Sequence, residues 1–398
     1  MADAKTIADY TDEEIEELNK LAEKEGKKAD KPAPKTIRVG IIGCGGIANG
    51  KHMPNIKKIP GVEMVAFCDL KEARAVKAAK KYGTPDAKIY FGSETAYKEL
   101  LKDETIEVIH VCTPNRSHSF ITVDALDAGK HVMCEKPMAI NSEEAKKMLD
   151  AAERSGKKLT IGYQQRWRKD SQYAKEFIKD GGCGDIYYGE AVAIRRRAVP
   201  TWGVFLNAYE QGGGPLIDIG THALDLTLWL MDNYKPKMVV GKTFRKLADQ
   251  TGTANAWGDW DPEEFTTEDS AFGFIVMENG AVIYLKSSWA INLDDPHEAE
   301  CVLAGTKAGI SQLGGGLKIN AVRGGRQVIE KPSFDAGGVA FFDGASGGDP
   351  AQLEQMAWYD AIRNDTAPPT QAAQAYVVTQ ILEAIYTSEK TGQPIYFN

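Results

Sequence analysis

The stretch IRVGIIGCGGIA, residues 37–48, joins a strand that is apolar without alternation to a glycine-rich turn. Continuous apolar strands are typical of parallel sheets that are covered on both faces. The turn fits the G-x-G-x-x-A form of the dinucleotide fingerprint, in which the second glycine lets the backbone approach a pyrophosphate and the alanine permits close helix–strand packing. The residues predicted to contact a dinucleotide here are Gly43, Gly45, Gly46, Ile47 and Ala48.

The residues that follow alternate between short apolar strands and helices. Further strands are predicted at VEMVAFCD, VIHVCTP, HVMCEKP and KLTIGY, and helices between them end at Gly83 and Gly129. This alternation predicts a doubly wound parallel sheet. We therefore predict an α/β chain in which residues 36–160 form a Rossmann dinucleotide-binding domain.

After Tyr163 the predicted strands become longer and more widely spaced. Two of them, SAFGFIVM and AVIYLKSSWA, are joined by a turn at Asn279-Gly280, which is a strong hairpin signal. Residues 161–398 are therefore predicted to form an α/β domain with a large, mostly antiparallel open sheet and helices on one of its faces. This domain is expected to bind the substrate and to carry the oligomer contacts.

The first 35 residues are predicted to form an arm and a linker. Thr11 and Glu14 have the spacing of a capping box ahead of a short amphipathic helix. The charged, proline-bearing segment KKADKPAPK follows and has the composition of a linker. Two alternatives stay open: a frayed tail, or an arm that packs on its own core or on a second subunit.

Composition argues against several classes of function. The net charge of −8 disfavours a nucleic-acid-binding protein, which needs a basic face. The six cysteines form no C-x-x-C pair, so no metal site is predicted, and reduced thiols indicate a cytoplasmic protein. No apolar run approaches the length of a membrane span, and the acidic N-terminus lacks the apolar core of a signal peptide.

An acidic residue, Asp69, ends the second predicted strand. A carboxylate at this position can accept hydrogen bonds from the adenosine ribose hydroxyls, and it would repel a 2′-phosphate. Lys71 and Arg74 lie nearby and could weaken that preference. The pattern therefore favours NAD over NADP as the cofactor.

Two further stretches carry candidate catalytic residues. In CEKP, Lys136 follows a predicted parallel strand, at the sheet edge where ligands bind. In GGGPLIDIGTHALD, Asp218 and His222 are spaced i, i+4 on one side of a helix, and a histidine beside a carboxylate is a plausible general base. The structural alternatives are a solvated strand end for the first stretch and a hydrogen-bonded helix pair for the second.

These motifs, in this order, resemble the Gfo/Idh/MocA family of sugar and cyclitol oxidoreductases. The resemblance covers residues 36–398 and rests on GCGGIA, CD, CTPNRSH, CEKP, GYQQRW and GGGPLIDIGTHALDL. It implies a Rossmann domain, an α/β substrate domain, a homodimer or homotetramer, and catalysis by Lys136, Asp218 and His222. It also implies a set of cofactor contacts by Thr113, Pro114, Asn115, His118, Glu135 and Lys136.

The chain departs from the family pattern at two places. GYQQRW has glutamines where many relatives have an asparagine; Gln165 is predicted to contact the cofactor, and Tyr163 and Arg166 the substrate. IRRRAVPTWG is unusually basic, and Arg197 is predicted to reach the substrate, with ordinary strand-face charge as the alternative. Trp202 is predicted to contact the cofactor, with stacking on a sugar or simple packing as alternatives.

The resemblance implies an NAD-dependent dehydrogenase that moves hydride between nicotinamide and a secondary hydroxyl of a sugar, glycoside or inositol. In such a reaction His222 would take the hydroxyl proton, while Lys136 and Asp218 position and polarise the substrate oxygen. Two alternatives stay open: a glycosidase that retains NAD and cleaves through transient oxidation at carbon 3, and a non-catalytic NAD-binding regulator. A Y-x-x-x-K match at Tyr386 and Lys390 is interpreted as chance, because it lies in the last helix.

Overall fold

The computed structural model describes residues 35–334 and 349–397, together with Thr11, Glu13, Glu16 and Glu17. The capping box and linker predicted within residues 1–35 therefore lie mostly outside the described residues. The chain divides into the units Met1–Thr36 and Ile37–Asn398, and both sheets belong to the second unit. The predicted boundary after residue 160 falls inside this unit and stays a prediction.

The first sheet has six strands in the order β3-β2-β1-β4-β5-β6, which is the Rossmann order. All of its pairings are parallel, which confirms the predicted sheet. The edge strand β3 is missing from the sequence prediction; it has only four residues, and its side chains are exposed or half-buried. The strands are β1 (Ile37–Ile42), β2 (Val62–Asp69), β3 (Lys88–Phe91), β4 (Val108–Val111), β5 (His131–Glu135) and β6 (Leu159–Gly162).

Helices connect these parallel strands, and their ends follow the predicted glycine signals. Gly83 is the C-cap of the second helix, and Gly129, with a φ of 77°, directly follows the C-cap Ala128 of the fourth. Gly156 ends the fifth helix with a φ of 65°, without having been predicted. Asn141 caps the fifth helix through its side chain, which accepts a hydrogen bond from the Glu144 N–H. The helices are α1 (Met53–Ile56), α2 (Glu72–Tyr82), α3 (Ala96–Leu101), α4 (His118–Asp127) and α5 (Ser142–Ser155).

The second sheet has nine strands in the order β14-β13-β12-β11-β7-β10-β9-β8-β15. Only the pairing of β7 with β10 is parallel, so the predicted mostly antiparallel sheet is confirmed. The strands are β7 (Ile186–Ile194), β8 (Pro236–Phe244), β9 (Ser270–Met277), β10 (Val282–Ser288), β11 (His297–Gly305), β12 (Ala308–Ser311), β13 (Lys318–Arg323), β14 (Arg326–Glu330) and β15 (Ile395–Tyr396).

Two long helices pack on this second sheet. The apolar helix α8 contacts β7 and β11, and the last helix α10 contacts β8 and ends at Gly392, as predicted. A π-helical turn, Leu216–Gly220, leads directly into α8. The helices of this half are α6 (Lys169–Lys179), α7 (Ala208–Gln211), α8 (Thr221–Met231), α9 (Pro350–Arg363) and α10 (Ala372–Thr391).

A single buried apolar cluster contains residues of both sheets, including Cys134 of β5, Tyr163 after β6 and Leu285 of β10. Close packing in such a core leaves little freedom for one sheet to move against the other. The carboxyl ends of β5 and β6 are therefore held against the π-helical turn that precedes α8. This junction carries the candidate site.

Candidate active site

The glycine-rich turn leaves open space at the carboxyl end of β1. Gly43 has a φ of +90°, and a Cβ there would lie 2.6 Å from the carbonyl carbon of Cys112, so the position requires glycine. Around a Cβ built on Gly45 or Gly46, by contrast, the described chain places no heavy atom within 4 Å. A π-helical turn begins at Ala48, directly after this open backbone. The cradle fits the pyrophosphate of a dinucleotide.

The carboxylate of Asp69, at the end of β2, fixes this turn. Its Oδ2 accepts a hydrogen bond from the N–H of Cys44 at 2.9 Å, and its Oδ1 accepts one from the N–H of Lys71 at 2.9 Å. A carboxylate oxygen can accept a second hydrogen bond, so both oxygens can still bind ribose hydroxyls. The side chain of Ile47 is exposed on the same turn. This geometry fits NAD better than a cofactor with a 2′-phosphate.

The loop after β4 brings a buried, unsatisfied hydroxyl to the same edge of the sheet. Among the described residues, Thr113 Oγ1 is buried and has no hydrogen-bond partner. Asn115 donates through Nδ2 to the carbonyl of Gln211 at 3.0 Å, which ties this loop to α7. A buried hydroxyl without a partner is costly, so Thr113 fits a contact with a bound cofactor.

His118 was predicted to contact the cofactor, and the structure gives it a different role. Its ring is fully buried, and its two nitrogens lie 2.8 Å from the carbonyl oxygen of Pro137 and 2.9 Å from that of Thr113. Burial lowers the pKa of His118, so the neutral ring carries one N–H and donates to one of these two carbonyl oxygens. His118 therefore positions the two loops rather than offering a free nitrogen to a ligand.

Lys136 and Asp218, two of the predicted catalytic residues, are joined directly. Lys136 Nζ donates to Asp218 Oδ1 at 2.8 Å and to the Asp218 carbonyl oxygen at 2.7 Å, while Trp289 Nε1 donates to Oδ2 at 3.0 Å. Burial alone would raise the pKa of Asp218, but the charges of Lys136 and Arg195 outweigh it and lower the pKa below its ordinary value. Asp218 is therefore a firmly ionised anchor for the ammonium.

The turn that presents Asp218 is built around the buried carboxylate of Glu268. Its Oε2 accepts from the N–H of Gly214 at 2.9 Å, and its Oε1 accepts from the N–H of Leu216 at 3.2 Å and from the Tyr386 hydroxyl at 2.8 Å. Tyr386, the first residue of the Y-x-x-x-K match, thus supports this turn from α10. The π-helical form of the turn is typical of functional sites, because it redirects side chains within a helix.

His222, the third predicted catalytic residue, lies in the first turn of α8. Its Nδ1 is buried without a hydrogen-bond partner in the described chain, and its ring packs edge-on against Tyr163 with centroids 6.0 Å apart. Burial, and then the charge of Lys136, lower the pKa of His222 to about 3. The imidazole is therefore neutral at physiological pH. No hydrogen bond between His222 and Asp218 is present in the described chain; the carboxylate oxygens of Asp218 accept from Lys136 and Trp289.

Glu135 was also predicted to contact the cofactor, but its carboxylate is buried and paired within the protein. Its Oε1 accepts from Lys51 Nζ at 2.7 Å and from His52 Nε2 at 2.6 Å, and its Oε2 accepts from the N–H of Lys136 at 3.2 Å. Burial opposes its ionisation, but Lys51 and His52 hold the pKa of Glu135 well below its usual range. The carboxylate therefore fixes the backbone that carries Lys136.

A chain of hydrogen bonds runs from Glu135 into the core. His52 Nδ1 lies 2.9 Å from His110 Nδ1, and His110 Nε2 lies 2.8 Å from the Tyr359 hydroxyl. Burial lowers the pKa of both histidines, so each is neutral and carries one N–H. Since Glu135 can only accept, His52 donates to it through Nε2. His110 then donates to His52 through Nδ1 and accepts from Tyr359 through Nε2.

Two residues predicted to contact the substrate have structural contacts instead. Tyr163 is fully buried, and its hydroxyl lies 2.8 Å from Thr221 Oγ1. Arg166 is also buried, and its Nε donates to Asp225 Oδ2 at 2.8 Å. A buried guanidinium needs such a carboxylate because a lone buried charge is strongly destabilising. The ring of Tyr163 reaches the site only by packing against His222.

Arg197 was the third predicted substrate contact, and its neighbour Arg195 is the arginine that lies near Asp218. Arg197 donates to Asn292 Oδ1 at 2.6 Å and to the carbonyl oxygen of Ile291 at 3.0 Å. The strand β7 ends at Ile194, so the face alternation behind the prediction no longer applies at residue 197. Arg195, just after the strand, lies with Nη1 4.0 Å from Asp218 Oδ2 and is also paired with Glu298.

The remaining predicted contacts lie in loops around this centre. Pro114 is exposed, and Gln165 is half-buried in the short turn Gln164–Trp167. Trp202 is largely exposed and packs edge-on against Trp257. None of these placements tests a cofactor contact.

Sequence analysis missed residues whose signals depend on tertiary structure. The sequence did carry a signal for Lys51 and His52. Both are charged or polar residues in a helical segment that should be apolar where it packs on the sheet. No comparable pattern marks Trp289, because its contact with Asp218 depends on the register of β10. The missed residues that touch the predicted site are Lys51, His52, Glu268 and Trp289.

The described parts of the chain lack two further features. No helix there combines the length and the apolar character needed to cross a bilayer. Within the same residues, no cluster of three or more histidine, cysteine, aspartate or glutamate side chains could hold a metal ion.

Comparison with known proteins covers both halves of the chain. Residues 37–163 match the model described as an oxidoreductase family with an NAD-binding Rossmann fold, and residues 171–311 match the Gfo/Idh/MocA C-terminal domain. A D-glucoside 3-dehydrogenase of Escherichia coli is 33% identical over 357 residues, which is 89% of this chain and 96% of that protein.

Two other matches are more distant. An inositol 2-dehydrogenase of Salmonella typhimurium is 31% identical over 202 residues, which is 50% of this chain and 56% of that protein. Among solved structures, a levoglucosan dehydrogenase in complex with NADH and levoglucosan superposes with a TM-score of 0.76 at 20% identity, covering 91% of this chain and 99% of that chain. The second match supports the fold alone.

Proposed function

Because this chain belongs to the Gfo/Idh/MocA oxidoreductase family, we propose that it oxidises the hydroxyl at carbon 3 of a D-glucoside, with NAD as the hydride acceptor. Family membership confirms the predicted enzyme class and the predicted cofactor. The observation that carries the proposal is the Lys136–Asp218 pair beside a neutral His222, at the sheet edge where the glycine cradle is open.

The site residues divide the chemistry among them. NAD, when bound, supplies the acceptor for the hydride that leaves the carbinol carbon. His222 accepts the hydroxyl proton, and Lys136 donates a hydrogen bond to the oxygen as it becomes a carbonyl. Asp218 positions the ammonium through its two contacts with Nζ. The charge of Lys136 favours loss of the proton from the bound hydroxyl, and the neutral imidazole of His222 can accept that proton.

The proposed cofactor contacts lie at the carboxyl ends of the strands of the first sheet. Gly45 and Gly46 leave room for the pyrophosphate, and Asp69 has lone pairs for ribose hydroxyls. Thr113 supplies a buried hydroxyl that lacks a partner among the described residues. These observations support NAD rather than NADP.

We further propose a cytoplasmic homodimer or homotetramer that acts on a carbohydrate and not on nucleic acid. All six cysteines are buried free thiols, which suits a reducing compartment. Val240 of β8 and Tyr284 of β10 are exposed and flank Phe274 of β9 in one row across the second sheet. Such an apolar row on an open sheet is suited to a subunit contact, which light scattering of the purified protein would reveal.

The test is a direct assay of the purified protein with NAD and methyl β-D-glucoside. We expect reduced nicotinamide to accumulate with a 3-keto glucoside as product, and an Asp218→Asn variant to lose most of this activity. Release of the aglycone without net NADH would instead indicate a glycosidase that retains NAD. No oxidation of any glucoside by protein that binds NAD would contradict the proposal and leave a regulatory role.

A further inference from the structure

We infer that the exposed tryptophans Trp202 and Trp257 form an outer subsite for a second pyranose ring, joined to the ring that is oxidised. The inference rests on the proposed function, since it assigns the substrate class of the same site. The substrates would be disaccharides and other glycosides whose aglycone is a sugar.

The first argument is a continuous aromatic path from the site to the surface. Trp289 Nε1 donates to Asp218 Oδ2 at 3.0 Å, and its buried ring lies 6.4 Å from that of Phe205. Phe205 in turn packs edge-on against Trp202, with centroids 5.9 Å apart. The row of rings therefore begins at the carboxylate that holds Lys136 and ends in solvent.

A second path joins the same two ends independently. Trp202 and Trp257 pack edge-on at 4.9 Å, and the guanidinium carbon of Arg195 lies 5.4 Å from the centre of the Trp257 ring. Arg195 Nη1 is 4.0 Å from Asp218 Oδ2. The two paths form a closed circle of contacts, so the exposed indoles have a fixed position relative to the catalytic centre.

Hydrogen bonds hold the two tryptophan loops together. The side chain of Asn255 accepts from the Val199 N–H at 2.8 Å and donates to the Val199 carbonyl at 3.0 Å. The hydroxyl of Thr201 donates to the carbonyl of Trp257 at 2.8 Å. A surface that is already ordered loses little entropy when a ligand binds.

The size and chemistry of the patch decide which ligand it fits. Trp202 is 52% exposed and Trp257 is 44% exposed, whereas Trp289 is fully buried. Since a tryptophan buries roughly 150–250 Å² in full, the two offer about 200 Å² together. A stable protein interface needs about 800 Å² from each partner. The area offered by the two tryptophans therefore fits a single pyranose ring, which has an apolar C–H face. A pyranose attached to the oxidised sugar would already lie beside the two tryptophans.

The experiment compares two β-D-glucosides that differ in their aglycone, methyl β-D-glucoside and cellobiose. We expect Trp202→Ala and Trp257→Ala each to lower the ratio of kcat/KM for cellobiose to that for the methyl glucoside by about 10-fold. The loss should be in KM for cellobiose, because the second ring lies away from the reacting carbon. An unchanged ratio, or equal losses on both substrates, would overturn the inference.

Tyr187→Ala is the matched control, since Tyr187 is 57% exposed but lies at the start of β7. At about 3.3 Å per residue it is roughly 23 Å from the end of that strand, so the ratio should not change. If the wild-type protein oxidises neither glucoside, the proposed function fails separately. Calorimetry with NADH-loaded protein then decides: cellobiose binding that Trp202→Ala weakens about 10-fold supports the subsite, and absent or unaltered binding overturns it.

Discussion

The ammonium of Lys136 donates to both the carboxylate and the main-chain carbonyl of Asp218, at 2.8 and 2.7 Å. Lys136 follows β5 of the first sheet, whereas Asp218 lies in the π-helical turn before α8, the helix that packs on the second sheet. The pair therefore closes the junction at which hydride acceptor and substrate would meet. It also leaves the third Nζ proton free for a substrate oxygen, because an ammonium has three donors.

Replacement of Lys136 by methionine should reduce kcat by roughly 10²–10⁴-fold, the usual contribution of a positioned proton donor or acceptor. Steady-state kinetics on the glucoside that the wild-type protein oxidises would measure the loss. Lys98→Met is the matched control, since Lys98 forms an exposed surface pair with Asp124. Comparable losses in the two variants would argue against a role for Lys136 in the chemistry.

The Lys136→Met variant should also change the pKa of His222. Burial and the charge of Lys136 both lower the pKa of His222, to about 3. With the charge removed and burial retained, the pKa of His222 should rise while staying below the ordinary histidine value. Histidine titration by NMR would follow the ring, and an unshifted pKa would mean that the two residues are not electrically coupled.

Asp69→Asn should move the cofactor preference towards NADP. The amide retains an oxygen that can accept a hydrogen bond from the N–H of Cys44 or of Lys71, but it no longer repels a 2′-phosphate. We expect the ratio of kcat/KM for NADP to that for NAD to rise about 10-fold, equivalent to about 1.4 kcal/mol. An unchanged ratio would place the 2′-hydroxyl of the bound cofactor away from Asp69.

The sequence predicted the fold far better than the contacts of individual side chains. Apolar runs and glycine signals located the parallel strands, because burial on both faces leaves a continuous pattern. Arg197 was assigned from strand alternation and His118 from the family resemblance, yet their contacts depend on where β7 ends and on which carbonyls surround a buried ring. Spacing along the chain carries no information on partners that are distant in sequence, such as Trp289 for Asp218.

Tyr359→Phe tests the hydrogen-bond chain behind Glu135. The substitution leaves His110 Nε2 buried without a donor, so the free energy of unfolding should fall by about 1–3 kcal/mol. Urea denaturation would measure the change. If the chain positions Lys136 through Glu135, kcat should also fall while KM for NAD changes little. The exposed Tyr396→Phe is the control and should change stability by less than about 0.5 kcal/mol.

Glu354 of α9 provides a pH-dependent prediction. In the described chain neither carboxylate oxygen accepts a hydrogen bond from a side chain, and Lys51 Nζ approaches only to 3.7 Å. Burial raises the pKa of Glu354 to about 7, with Lys51 opposing and Glu135 adding to the rise. The folded protein therefore binds more protons than the unfolded chain between the ordinary glutamate value and pH 7, and this contribution to stability is lost as pH rises through that window.

Glu354→Gln removes the titration while keeping the shape of the side chain. Relative to the wild-type protein, the variant should gain stability as pH rises from about 4.5 to 7, by on the order of 3 kcal/mol at most. Urea unfolding of both proteins at a series of pH values would measure the difference, which cancels the titration of every other group. Parallel stability curves would show that Glu354 ionises freely in the folded protein, and that its burial carries no electrostatic cost.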